Sequence, residues 1–317
     1  METNEHYIAS ASRYGEMNRL FNRCGQSGVL LPKVSLGMWH NFGAEDPYER
    51  SRAITHYAFD HGITHFDLAN NYGPPAGSAE ETMGRLMEQD FAPYRDELFI
   101  STKAGYLMWD GPYGEWGSRK YLTASLDQSL RRMKLDYVDL FYSHRYDPDT
   151  PIEETLQTLV DFVRQGKALY VGISNWPLEP LKAATRYLHE RGVPLLIYQG
   201  RLNMIDRKPM DEGILAFCRQ EGIGFIAYSP LAQGLLTDRY LDGIPSDSRM
   251  AKEHFLKSER RTPELLRMLH DLQQEGQAHG RTIAQEALAW ILAQEGVTSV
   301  LVGVSSVEQL KNNLAVI

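Results

Sequence analysis

Four side chains in this sequence could do chemistry together: Asp67, Tyr72, Lys103 and His144. Asp67 closes the apolar run Ile63–Asp67, and Tyr72 follows among asparagines, a glycine and two prolines, where no regular element continues. Lys103 closes LFISTK (Leu98–Lys103), and His144 closes YVDLFYSH (Tyr137–His144). A free phenol, with a pKa of about 10, exchanges a proton slowly near neutrality. A neighbouring ammonium stabilises the phenolate and is expected to lower that value. Asp67 would keep Lys103 charged and aimed, and His144 would hydrogen-bond the phenol or a substrate oxygen. Such a set is a tuned proton donor and acceptor, as carbonyl–alcohol interconversion requires. None of the four is a covalent nucleophile with a dedicated base, and no metal-ligand spacing occurs, so no metal is expected.

Singly, each residue has an ordinary role: a turn aspartate, a snorkelling lysine, a hydrogen-bonded core histidine. What brings them together is the order of elements. A polar tail over residues 1–13 precedes a hairpin pattern from Tyr14 to Leu31, with Arg23–Gly28 as its turn. Then short apolar runs alternate with amphipathic helices: Val34–Trp39, Ile63–Asp67, Leu98–Lys103, Tyr137–His144, Ala168–Ser174, Leu195–Gln199, Gly224–Ser229 and Thr298–Gly303. Helices are predicted from Asp46-Pro47, from a Ser78-Ala79-Glu80-Glu81 capping box, around Leu126–Met133, from Ile152 to Gly166, over 264–279 and 282–293, and near Ser306–Leu314. Eight strand-like runs over about 250 residues predict an α/β fold, a (β/α)8 TIM barrel with a short N-terminal β-hairpin, as one domain spanning 1–317. The competing doubly wound sheet would carry a Gly-x-Gly-x-x-Gly turn after its first strand, and the sequence has none. In a barrel the C-terminal strand ends converge on one mouth.

Bulk properties agree with a core-forming, soluble, cytoplasmic protein. The hydrophobic content is 43% of 317 residues, and the formal net charge of −8 argues against a nucleic-acid surface. No apolar run approaches the roughly 18 residues of a membrane span, and the N-terminus has no signal-peptide pattern. Cys24 and Cys218 read as two reduced thiols.

Because no side chain supplies a hydride, a cofactor must. Ser174, Asn175 and Gln199 suit a carboxamide, and Tyr228 offers a flat face to a nicotinamide ring. The Gly303-Val304-Ser305 turn opens a helix whose N–H groups could receive a phosphate, although Ser305-x-x-Glu308 is also an ordinary capping box.

With these residues in view, the chain resembles the aldo-keto reductases over nearly its whole length. FDLANNYGPPAGSAEETMG, STKAGY, FYSHR, ALYVGISNW, IAYSPLAQGLLTDRYLDG and SVLVGVSSVEQLKNN fall in that family's order. GMWHNFG, GPPAGSAEE and SPLAQGLL are most similar to the bacterial branch of L-glyceraldehyde 3-phosphate reductases near the voltage-gated potassium-channel β subunits. The resemblance implies Tyr72 as general acid, completed by Asp67, Lys103 and His144. It implies cofactor contacts at Trp39, Asp67, Ser174, Asn175, Gln199, Tyr228, Ser229, Leu231, Gln233, Gly234, Arg249, Gly303, Ser305, Gln309 and Asn313, and NADPH/NADP+ as the cofactor. A homo-oligomer, tetramer or octamer, is implied as well. Two departures leave NADH open: Ser306 stands where many relatives carry a basic residue, and Asn312 where another often has an acid. The chain ends at Ile317, directly after the last predicted helix, where relatives usually continue.

For the substrate, a small aldehyde or ketone, the candidates are Trp39, Tyr72, Trp109 and His144. Tyr106, Tyr113 and Trp116 lie in the same loop as Trp109, and Arg119, Lys120 and Arg145 are candidate anion attractors. Two other readings compete with the reductase. A redox-sensing regulatory subunit would bind NADPH and turn over slowly, and a lyase using Lys103 as a Schiff base would be trapped by borohydride.

Overall fold

A computed structural model describes residues 7–15, 17–246, 248, 250, 251 and 256–317. Eight parallel strands close a barrel: β3 (Val34–Gly37), β4 (His65–Asp67), β5 (Phe99–Ala104), β6 (Val138–Ser143), β7 (Ala168–Ser174), β8 (Ile197–Arg201), β9 (Gly224–Tyr228) and β10 (Val297–Val302). Sequential neighbours pair, and β10 closes the circle between β9 and β3. Each strand lies within two residues of its predicted run. An antiparallel hairpin, β1 (Phe21–Arg23) and β2 (Leu30–Pro32), precedes them.

Helices cover the outside, and side chains alternate across each strand. One parity, including Leu36, Phe66, Ile100, Phe141 and Val171, joins the large buried cluster under the helices. The other parity points into the barrel. There Leu140, Tyr142, Ile197, Ile226 and Leu301 form a separate cluster with Cys24 and Leu31 from the hairpin. The hairpin is thus the barrel floor, and burial pushes the Cys24 thiol up to about 12, so it stays protonated. Helix Ile152–Arg164 illustrates the outer packing: Leu156, Leu159 and Val160 are fully buried, each worth about 1.5–3 kcal/mol, and Gly166 (φ 70°) ends the element in a left-handed turn.

Three predicted caps differ. Helix Tyr48–Asp60 starts after Pro47; Asp46 accepts from the Gly43 N–H and pairs with Arg50. Helix Ser78–Leu86 is preceded by Gly77 at φ 94°, and the Ser78 hydroxyl donates backwards to the Pro74 and Pro75 carbonyls. Loop 73–77 is tied down by those bonds and by the Gly77 N–H to Tyr72 O. Helix Val307–Leu314 is capped by Ser306, whose hydroxyl accepts from the Gln309 N–H, one residue beyond the predicted Ser305.

Candidate active site

The parity that fills the barrel also places three of the four reactive side chains, and Tyr72 joins them from the loop after β4. Asp67 ends β4 and Lys103 sits on the neighbouring β5, with Asp67 opposite Ser101 in the ladder. Lys103 Nζ reaches Asp67 Oδ2 at 2.5 Å, the Leu68 carbonyl at 2.5 Å and the Tyr72 hydroxyl at 3.4 Å. Ser101 Oγ and Gln199 Nε2 donate to the other Asp67 oxygen at 2.6 and 3.3 Å. His144, just after β6, meets the Tyr72 ring edge to face at 6.1 Å. Asp67, Lys103 and His144 are 2, 0 and 7% exposed, while Tyr72 is half-buried. The four predicted residues therefore meet.

Burial sets the electrostatics. Removal from water, with the Asp67 charge nearby, holds the Tyr72 phenol well above 10. The direction is opposite to the expected lowering: burial, Asp67, Tyr228 and Tyr106 all push the phenol up, although the Lys103 ammonium stands at 3.4 Å. Burial lowers the Lys103 pKa, and Asp67 opposes that. Burial, Lys103 and Arg145 together hold His144 well below 6.5, so its imidazole is neutral at pH 7. Its Nδ1 is buried without a partner, as a group kept for a ligand would be.

Ser174, which ends β7, pairs in register with Gln199 in the middle of β8, and both are buried. Asn175, left-handed at φ 57°, donates to the His144 carbonyl and to Ser174 Oγ, and accepts from the Tyr228 hydroxyl at 2.8 Å. Its amide braces Ser174 and Tyr228. After β9, Ser229, Ala232, Gln233 and Gly234 all have positive φ, flanking Leu231. Left-handed residues of this kind gather backbone N–H groups around an anion. Gly303 is exposed beside Ser305, and Gln309 folds back so that its Oε1 accepts from both the Ser305 N–H and Oγ. Asn313 is buried in the last helix. Asn312 accepts from Gln285 Nε2, so its side chain serves the contact with helix Ile283–Leu292. Arg249 lies outside the described residues.

On the rim, Trp39 is 38% exposed, with its ring 6.4 Å from Tyr72. Tyr106 meets His144 edge to face at 4.7 Å, which makes it a closer neighbour of the site than Trp109, whose ring rests on Tyr121 at 5.3 Å. Two of the three candidate anion attractors are already engaged, and Lys120 is exposed. Arg145 pairs with Glu115 and lies 3.5 Å over the Trp116 ring, and Arg119 pairs with Asp161. Ser101 and the Leu68 carbonyl were not singled out by sequence. Ser101 stands two residues before Lys103 on one strand, so it shares the inward face, and that parity is the signal that could have found it.

The chain matches the model of the Aldo/keto reductase family over residues 33–317. It is 55% identical over 312 residues to L-glyceraldehyde 3-phosphate reductase of Escherichia coli O157:H7, covering 97% of this chain and 90% of the relative, and 54% identical to that of strain K12. A probable voltage-gated potassium channel subunit beta of Arabidopsis thaliana is 33% identical over 300 residues, covering 93% and 90% of the two chains. Among solved structures, a thermostable aldo-keto reductase crystallised with the inhibitor epalrestat superposes with a TM-score of 0.74 at 30% identity, covering 94% of this chain and 93% of that one. Barrel, floor hairpin and similarity along nearly the entire length agree: the chain is an oxidoreductase of the aldo-keto reductase family.

Proposed function

We propose that this chain reduces small aldehydes with NADPH, Tyr72 donating the proton. The observation that carries the reading is the Tyr72 hydroxyl 3.4 Å from a Lys103 ammonium that is itself clamped by Asp67 and the Leu68 carbonyl. Bound NADPH would supply the hydride. As a carbonyl oxygen gains negative charge, Tyr72 gives up its proton, and Lys103 stabilises the phenolate left behind. At neutral pH the phenol carries its proton, the form that a donor in carbonyl reduction needs. Neutral His144 orients the carbonyl oxygen, beside Trp39 and Trp109 on the substrate side. The donor set fits the nucleotide: Ser174 and Gln199 for the carboxamide, with Asn175 bracing, Tyr228 for the ring, 229–234 with Arg249 for the pyrophosphate, and Gly303, Ser305, Gln309 and Asn313 toward the adenosine end. Similarity to the two E. coli reductases points to L-glyceraldehyde 3-phosphate, or methylglyoxal-type aldehydes, as substrate. The same reading carries a cytoplasmic homo-oligomer.

The test is fluorescence titration with NADPH and NADH, then oxidation of the bound nucleotide by glyceraldehyde 3-phosphate, methylglyoxal and simple aldehydes. Tyr72→Phe should bind NADPH normally and lose about 100- to 10,000-fold in turnover, the range for a general acid. Unchanged turnover would refute the mechanism, and normal NADPH binding with only trace turnover on every aldehyde would favour the redox-sensing alternative.

A further inference from the structure

Below the reactive residues, a file of polar side chains crosses four adjacent strands inside the barrel. Ser299 Oγ on β10 lies 2.7 Å from Ser35 Oγ on β3, and Ser35 Oγ lies 2.9 Å from His65 Nδ1 on β4. His65 Nε2 lies 3.0 Å from Ser101 Oγ on β5, which donates to Asp67 Oδ1 at 2.6 Å. Ser299, Ser35, His65 and Ser101 are all completely buried.

Counting protons orders this file. Ser101 has one hydroxyl proton and spends it on the carboxylate, so its oxygen must accept from His65 Nε2–H. If His65 is neutral, Nδ1 has no proton and must accept from Ser35, and Ser35 in turn accepts from Ser299. In the alternative order Ser299 donates to the Lys33 carbonyl, but that contact is 3.3 Å and the carbonyl already accepts the Val300 N–H at 2.9 Å. That order also requires a doubly protonated imidazole. Burial opposes this, holding His65 at about 4 with Lys103 adding to the effect and Asp67 working against it.

We propose that His65 is a positioning residue for the Asp67–Lys103 pair: a neutral imidazole carrying its proton on Nε2, at the centre of a one-way chain of donors that ends on the Asp67 carboxylate. The proposal rests on the reading that Asp67 and Lys103 serve Tyr72. A buried carboxylate needs fixed dipoles in place of water, and hydrogen bonds in a chain polarise one another. The ionisable groups facing Asp67 are Lys103 from β5, Tyr142 from β6, Tyr72 from the mouth loop and His65 itself. The chain makes up for the loss of solvent on the side of Asp67 that Lys103 does not reach.

Two substitutions separate positioning from filling. Gln places an amide N–H where His Nε2–H stands, so His65→Gln keeps the donor to Ser101. Asn reaches only the Nδ1 position, so His65→Asn loses that donor. With NADPH and methylglyoxal, His65→Asn should lower kcat about tenfold or more with KM little changed. His65→Gln should recover most of that loss. Equal behaviour of the two variants, with Tyr72→Phe inactive as expected, would overturn the positioning role and leave the proposed reduction standing; an active Tyr72→Phe would overturn the reduction mechanism itself. Nitrogen-15 NMR of the histidine side chains in the unmutated protein provides a test independent of folding. A neutral Nε2–H tautomer persisting to pH 5 is expected, and an Nδ1–H tautomer or an imidazolium at pH 7 would overturn the assignment.

Discussion

On one side of the barrel interior, β10, β3, β4 and β5 turn Ser299, Ser35, His65, Asp67, Ser101 and Lys103 inward, all buried. On the other, β6, β8 and β9 turn in Leu140, Tyr142, Ile197 and Ile226, which rest with Leu301 on Cys24 and Leu31 of the floor. Both sides are equally dry, so the polar side has to solvate its charges largely with its own hydroxyls, while the other side contributes packing and, from β8, the Gln199 amide. An ion pair without water is stabilised by mutual attraction and by hydrogen bonds to its remaining atoms. Here the Leu68 carbonyl, Ser101 and Gln199 supply them.

The largest effect should come from removing the charge that the polar side is built around. Lys103→Met fills similar volume but leaves the Asp67 carboxylate buried without its cation, costing about 3–5 kcal/mol. Urea unfolding should show that loss, and turnover should fall at least about a hundredfold. Adding Asp67→Asn should restore much of the stability and none of the turnover. Full stability in Lys103→Met alone would mean that the polar side tolerates a lone carboxylate, and the contrast between the sides would lose its basis.

The contrast also marks what the sequence makes legible. The strands could be read from apolar runs, and the reactive residues from polar groups ending those runs: Asp67, Lys103 and His144 come together as expected. The polar file could not. Ser35 and Ser299 are 264 residues apart, and only barrel closure brings β10 beside β3. Nor can spacing weigh opposing effects on one group: the sequence shows a lysine near Tyr72, whereas the raised pKa follows from burial that exists only in the fold. Caps failed for a local reason. Ser78 has the right residue type, but Gly77 at φ 94° occupies the cap, and the serine hydroxyl turns back to the prolines. Arg145 looked free for an anion until its partner Glu115, 30 residues away, came beside it.

A second prediction uses pH. His65 has a folded pKa of about 4 against an ordinary value of 6.5. Between those values the unfolded chain binds the extra proton and the folded chain does not. Stability is therefore fully present above pH 6.5 and declines as pH falls toward 4, by roughly 3 kcal/mol from this group. His144, also depressed, adds in the same direction. Urea midpoints measured from pH 7 to 4 should follow that slope, and His65→Gln should flatten it. An equally steep slope in the variant would mean that other groups carry it.

The smallest effect belongs to the apolar side and tests whether the two sides are mechanically separate. Gly172 on β7 faces inward, and a Cβ there would come within 2.5 Å of the Tyr142 ring and 3.2 Å of the Ile197 carbonyl. Gly172→Ala should thus overpack the interior, costing about 1–3 kcal/mol in urea unfolding. Because the clash is with ring carbons, Tyr142→Phe should not relieve it, whereas Tyr142→Leu should, so that Gly172→Ala with Tyr142→Leu costs less than the sum of the two changes. Turnover is the second readout. The Tyr142 phenol lies near both Asp67 and Gln199, so a displaced ring would press on the polar side. A kcat that falls in Gly172→Ala and recovers in the double variant would show the apolar side holding the carboxylate in place by packing, whereas an unchanged kcat at reduced stability would show the two sides acting independently.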